Sequence, residues 1–349
     1  MHCPPRTTVL ALIILLTTVG CGSDSTVVDR PATHRNDHWT VQPQAGRATL
    51  TLCDSRRLST GVRSIPLAVW RDGQDVAPIV SVCIGNRGPF PFLLDTGGAA
   101  TLLSPQLVKV LGLRPRGPGL RYGSEGCRGI ATRIDVPSIS IGGIRISLGR
   151  AYSVEGLDLS GGRSPQGTIG ADILSKFSAI RLDFVHGAVT FAAQGTQIGS
   201  HGRFSMRPAE SYAGFPQISA RLITHRSPRG VSSRILISLA SDDPRPWIPD
   251  TGSRESAIDA RVAHRAGLKS SETVRYQPSL CSHSKIPVRR VNSGPWTIAG
   301  VHMAPQLLVT TPLLSTVGAA GVLGANTMSK FGTVVFDWSH GRLSLGGGR

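Results

Sequence analysis

The chain has 349 residues, of which 40% are hydrophobic and 17% charged, so it can build a core, and global disorder is excluded. Its formal charge of +17 comes almost wholly from scattered arginines. There is no basic helix, zinc spacing or aromatic–basic ribonucleoprotein motif, so a solvated basic surface is expected and no nucleic-acid partner. Aromatics are only 5%, with 41 Gly and 24 Pro, which favours short strands joined by turns over long helices.

Residues 1–20 read as a secretory signal: Arg6, the apolar run Val9–Leu16, then small residues. That run is too short to span a bilayer comfortably. The stretch TTVGC resembles a bacterial lipobox, with Thr18 where Leu is usual. Cys21 is therefore expected to carry a lipid anchor, holding the protein at the outer face of the cytoplasmic membrane or in the cell envelope. Residues 21–64 are polar and aperiodic and read as a tether.

The folded part opens with alternating apolar segments such as APIVSVCIG, followed by FPFLLDTGG around Asp95. LLSPQLVKVLGL then reads as a short helix, with Ser104 as N-cap and Gly112 near its end. Next come the strand pattern IDVPSISIGGIRISLG and the block GTIGADILSKFSAIRLDFVHGAVTF. The second half repeats the series. PWIPDTGS places Asp250 at an offset of 155, and AIDARVAHRAGL is a matching helix with Asp259 as N-cap and Gly267 at its end. GVLGANTMSKFGTVVFDWSHGRLSL sets Gly324 over Gly170, Phe331 over Phe177, Asp337 over Asp183 and Gly341 over Gly187 at an offset of 154. Matched blocks in one order, with one residue lost between, imply two homologous lobes, 65–200 and 201–349. The expected class is all-β with short helices.

A single D-T-G is no more than a turn signal. Two, embedded in matched repeats, resemble the catalytic loops of aspartic proteases, and TIG at Thr168–Gly170 and VLG at Val322–Gly324 resemble that family's hydrophobic–hydrophobic–Gly element. The resemblance covers about residues 75 to 349. The equal spacing in the two halves looks like two retropepsin-type protomers fused in one chain. It implies two lobes about a pseudo-two-fold axis, each bringing one catalytic aspartate, Asp95 and Asp250, to a shared water and a shared proton. It further implies supporting roles for Thr96, Gly97, Thr251, Gly252 and Ser253, with the threonines locking the loops together. A flap is expected in each lobe, near 123–129 with Tyr122, Gly123 and Gly126, and near 277–284 with Tyr276. The implied activity is an endopeptidase acting as a monomer on extended polypeptides, without metal or cofactor. The runner-up is a weak or inactive peptide-binding or structural lipoprotein.

Two finer expectations concern the dyad and the cysteines. A hydroxyl bond from Ser253, with no counterpart at Gly98, is expected to make Asp250 the more readily ionised aspartate. Pro249, before the second Asp, stiffens its strand. Four cysteines allow three pairings; Cys127 and Cys281 lie at equivalent places after their aspartates, which favours Cys127–Cys281 across the flaps and Cys53–Cys83 within the first lobe over two intralobe bonds or free buried thiols. Asp183 and Asp337, each before a turn, read as structural hairpin residues. His264 and His283 are isolated, and no Cys-x-x-Cys, phosphate loop or G-x-S-x-G elbow occurs.

Overall fold

Each D-T-G loop hangs from the end of an antiparallel strand pair. The computed structural model describes residues 53, 61–117, 120–124, 127–154, 165–196, 217–227, 230–239, 243–271, 275–278, 285–312 and 314–346. Asp75–Ile84 pairs with Arg87–Leu94, and Gly230–Leu239 pairs with Arg245–Asp250. The segment DVAPIVSVCI is buried at all but one position, which explains its near-continuous apolar run.

Each lobe then weaves a return strand beside the one that carries its aspartate. Gly167–Ile169 runs parallel to Arg87–Leu94, and Gly321–Gly324 runs parallel to Arg245–Asp250. Both return strands also pair antiparallel with the short strand after the D-T-G, Leu102–Leu103 or Ala257–Asp259. The mostly β chain thus forms two similar curled sheets, ten-stranded in the first lobe and nine-stranded in the second.

Among the described residues, four short α-helices close the loops: α1 (Pro105–Leu111), α2 (Ala171–Leu174), α3 (Ala260–Arg265) and α4 (Ala325–Met328). The caps follow the sequence. The Ser104 hydroxyl accepts from Leu107 N–H, Asp259 accepts from Arg261 N–H, and Gly112 takes the left-handed conformation after α1. Asp183 and Asp337 also behave as the sequence indicates, each accepting main-chain amides of its own hairpin turn, His186 N–H and His340 N–H at 3.0 Å.

A six-stranded sheet joins the lobes, in the order Val62–Pro66, Ala188–Ala192, Ala179–Asp183, Thr333–Asp337, Arg342–Leu345, Ile218–Arg221. Its centre, where Ile180 pairs with Phe336 and Leu182 with Val334, is the pseudo-dyad. A single apolar cluster runs from Ile65 to Leu345 through both lobes. Among the described residues, Ala77, Ile79 and Leu93 in one lobe and Ile248, Ala257, Leu314, Ala319 and Val322 in the other form small clusters apart from it. Before the first strand, Cys53 is disulfide-bonded to Cys83, with Cα atoms 5.5 Å apart. Cys21 and Cys281 lie outside the described residues, and with Cys281 the expected crosslink to Cys127.

The lobes also clasp each other through their hairpins. Val76 N–H donates to Arg254 O at 3.4 Å, and the repeat-related Val231 N–H donates to Ala99 O at 3.2 Å. One clasp carries a charge pair. Arg254, 2% exposed, lies 3.5 Å from Asp75 and over the Trp70 ring. Burial pushes its guanidinium pKa down, while Asp75, Glu255 and Asp72 hold it charged. Removing one partner of a buried pair strands the other. Asp75→Asn is therefore expected to cost about 2–3 kcal/mol in urea unfolding, reduced from the full penalty by the remaining acids. Asp75→Leu with Arg254→Met should recover most of that loss. An Asp75→Asn loss below about 0.5 kcal/mol, the size of an exposed pair, would show the clasp to be idle.

Candidate active site

The two D-T-G loops meet at the pseudo-dyad. Thr96 and Thr251 hold them in a reciprocal grip. Each threonine N–H donates to the other's hydroxyl, at 3.2 Å from Thr96 and 3.0 Å from Thr251. Each hydroxyl in turn donates across the axis to the carbonyl before the opposite aspartate: Thr96 to Pro249 O at 2.9 Å, and Thr251 to Leu94 O at 2.6 Å. All four bonds are buried, where each is stronger than it would be in water. Pro249 costs the strand nothing here. In the first lobe it is the next amide, Asp95 N–H, that bonds the return strand, at Ile169 O.

The aspartates are fully buried and face one another. Asp95 Oδ1 accepts Gly98 N–H at 2.6 Å; Asp250 Oδ1 accepts Gly252 N–H at 2.7 Å and Ser253 N–H at 3.1 Å. The Oδ2 atom of each is buried and receives no donor from the surrounding protein. A proton on one carboxyl satisfies both, as a hydrogen bond between the aspartates.

Burial, then the charge of Asp250, raises the Asp95 pKa well above the usual carboxylate range. Burial also raises that of Asp250, but the bond from Asp95 and the amides of Gly252 and Ser253 pull it down. Burial thus biases both carboxyls towards the protonated form, Asp95 the more strongly. The donor expected from the sequence is not the one that reaches Asp250. The Ser253 hydroxyl is turned away to Glu255 O at 2.7 Å, and its main-chain N–H reaches Asp250 instead.

Glycine is imposed by close approach. A Cβ on Gly97 would fall on the Asp250 carboxyl, and one on Gly252 on the Asp95 carboxyl. Each D-T-G glycine thus makes room for the other lobe's aspartate. A Cβ on Gly98 would fall on Asp95 Oδ2, so the absence of a side chain there is what admits that carboxyl. Gly170 and Gly324 lie against the main chain of their own loops, at Ala100 and Glu255.

Supporting hydroxyls escaped the sequence reading. Gly170 N–H donates to Thr101 Oγ1, which donates to Asp172 Oδ1 at 2.8 Å. In the second lobe Gly324 N–H donates to Ser256 Oγ at 2.9 Å, which donates to Asn326 Oδ1 at 3.1 Å. Thr101 and Ser256 share the 155-residue offset of the aspartates, and Asp172 and Asn326 the later offset of 154. Extending the repeat through these polar positions would have found them.

The expected flap segments are hairpins. Leu120–Ser124 pairs with Cys127–Ile134, setting Tyr122 opposite Gly129 and Gly123 opposite Arg128; Arg275–Pro278 pairs with Lys285–Val288, setting Tyr276 opposite Pro287. Gly126, at the first tip, lies outside the described residues. Among the described residues no group of three or more His, Cys, Asp or Glu is placed to hold a metal ion.

Fold and site define a bilobal, retropepsin-like aspartic protease. The profile of the family described as aspartyl protease matches residues 80–173 and 238–327, together just over half of the chain, and the protein belongs to that family. Among solved structures it is similar to a retropepsin-like aspartic protease from Rickettsia conorii, at 21% identity over 40% of this chain and 97% of that chain, with a TM-score of 0.28. No curated relative matches.

The raised pKa of Asp95 makes its ionisation a cost to folding. A group whose folded pKa is raised favours the fold fully below its unfolded pKa of about 3.9, and loses that contribution as pH rises through the folded value. Asp95→Asn keeps a donor to Asp250 and removes the titration. Its melting temperature should match that of the unmodified protein below about pH 4 and exceed it increasingly towards neutrality. A difference that is constant with pH would contradict the raised pKa of Asp95.

Proposed function

We propose that the protein is an aspartic endopeptidase that hydrolyses extended polypeptides with a water activated between Asp95 and Asp250. The observation that carries this reading is the buried pair of Oδ2 atoms, undonated by the surrounding protein, on two carboxyls whose pKa values burial raises. Ionised Asp250 takes a proton from the water as its oxygen attacks the scissile carbonyl carbon. Protonated Asp95 gives its proton to the carbonyl oxygen. The tetrahedral diol then collapses. Asp250 passes its proton to the leaving nitrogen, the C–N bond breaks, and Asp95 recovers a proton from the diol. Both carboxyls return to their starting state, and the cycle draws on nothing beyond these residues and water.

The supports fit that task. The amides on each Oδ1 fix the carboxyls before substrate arrives, and preorganised geometry is where such catalysis gains most. One chain supplies both aspartates, which favours a monomer. These features favour hydrolysis over a role in peptide binding alone.

Asp95→Asn and Asp250→Asn should each lower cleavage of a denatured protein mixture at least about a hundredfold, because one carboxyl cannot serve as both acid and base. Half the activity retained in either variant would sink the reading.

The proposed workplace is the cell envelope, with the protein exported by residues 1–20, lipidated at Cys21 and held off the membrane by the tether. The support is the sequence of that leader. No helix among the described residues is long and apolar enough to cross a membrane. Cys21→Ser should move the protein from the membrane pellet to the soluble fraction of producing cells; unchanged pelleting would remove the anchor.

A further inference from the structure

The strand face that carries each aspartate also carries the residue two places before it, because side chains alternate along a strand. These are Leu93 and Ile248. In the sheets Leu93 is paired with Ile79 and Thr168. Ile248 is paired with Val322, and the register Ile235 to Trp247 puts Arg234 beside it. Ile79 and Arg234 are thus the same position in the two lobes, 155 residues apart. One wall of the cleft is apolar, with Ala77, Ile79 and Leu93 packed together. The other carries Arg234 on the strand next to Ile248, which belongs to the cluster of Ile248, Leu314, Ala319 and Val322.

Arg234 is half-buried and donates to two main-chain carbonyls, Ser233 O at 2.9 Å and Val317 O at 3.3 Å. Val317 packs against that cluster, so the guanidinium is held beside it. It makes no ion pair among the described residues. Burial pushes its pKa down, and the acid acting on it is Asp250, at a distance. A partly desolvated guanidinium without a contacting carboxylate can still accept one, and its planar fork suits a carboxylate well.

Resting on the endopeptidase reading, we infer that Arg234 is a specificity residue that selects an acidic side chain, Asp or Glu, on the second-lobe side of the scissile bond, while Ile79 favours an apolar one on the first-lobe side. From strand spacings Arg234 Cα lies about 8 Å from that of Asp250, so the acidic residue falls within about three positions of the cut.

The test is the cut-site profile of a denatured proteome digested by the full chain, by Arg234→Gln and by Arg234→Glu, with Asp95→Asn as blank. The unmodified protein should enrich Asp and Glu about tenfold at one position near the cut. Arg234→Gln should abolish that enrichment and Arg234→Glu should replace it with Lys and Arg. Cleavage without acidic enrichment, or enrichment that persists in Arg234→Gln, overturns the subsite and leaves the endopeptidase standing. Should Arg234→Gln fail to fold, Arg234→Glu decides: a basic profile supports the subsite, and an unaltered profile or no cleavage counts against it. Absence of any cleavage beyond the blank overturns both readings.

Discussion

Two carboxyl groups are buried face to face on a pseudo-two-fold axis, and the surrounding structure is what makes that tolerable. Two unit charges about 4 Å apart repel by about 4 kcal/mol at an effective dielectric constant of 20. The pair therefore keeps one proton and one charge. That state persists only if the carboxyls cannot swing apart, since either could otherwise find separate solvation. The amides on Oδ1 prevent this from below, and the reciprocal threonine bonds prevent the loops from separating. The glycines follow from the same requirement, because at this distance each loop's backbone already touches the other loop's carboxyl.

Local bonds could not hold such a geometry if the lobes moved as separate bodies. The six-stranded sheet places strands of both lobes side by side at the axis, and the core continues through it. Each lobe's hairpin also bonds the other lobe's loop just beyond the D-T-G, at Ala99 and Arg254. The carboxyls are therefore positioned by long-range packing as well as by their own turns. An active site needs that kind of support if it is to be held within a fraction of an ångström.

The repeat made most of this architecture visible in the sequence. Strand pairs, helix caps at Ser104 and Asp259, and the structural parts of Asp183 and Asp337 depend on neighbours a few residues away, and short-range patterns report them. The Arg254–Asp75 pair joins residues 179 apart that have no shared spacing or period. The sheet between the lobes depends on Val62–Pro66 and Ile218–Arg221 leaving their own lobes' sheets, which alternation of side chains cannot reveal. The Ser253 hydroxyl was misplaced for a subtler reason. A residue following a turn can present either its N–H or its side chain to the carboxylate, and the backbone reached it first.

Fusing two lobes in one chain also frees equivalent positions to differ. Two identical protomers would place the same residue on both walls of the cleft. An arginine at the Arg234 position would then give two cations flanking the dyad, and an isoleucine would give none. Here Arg234 stands at the position equivalent to Ile79, Val322 to Thr168, Arg254 to Ala99, Asn326 to Asp172 and Ser253 to Gly98. The last pair acts at the dyad itself. Asp95 receives one close loop amide on Oδ1 and occupies the space left by Gly98, while Asp250 receives two. A symmetric site leaves the shared proton equally divided. Here the unequal surroundings bias it, raising the pKa of Asp95 more than that of Asp250.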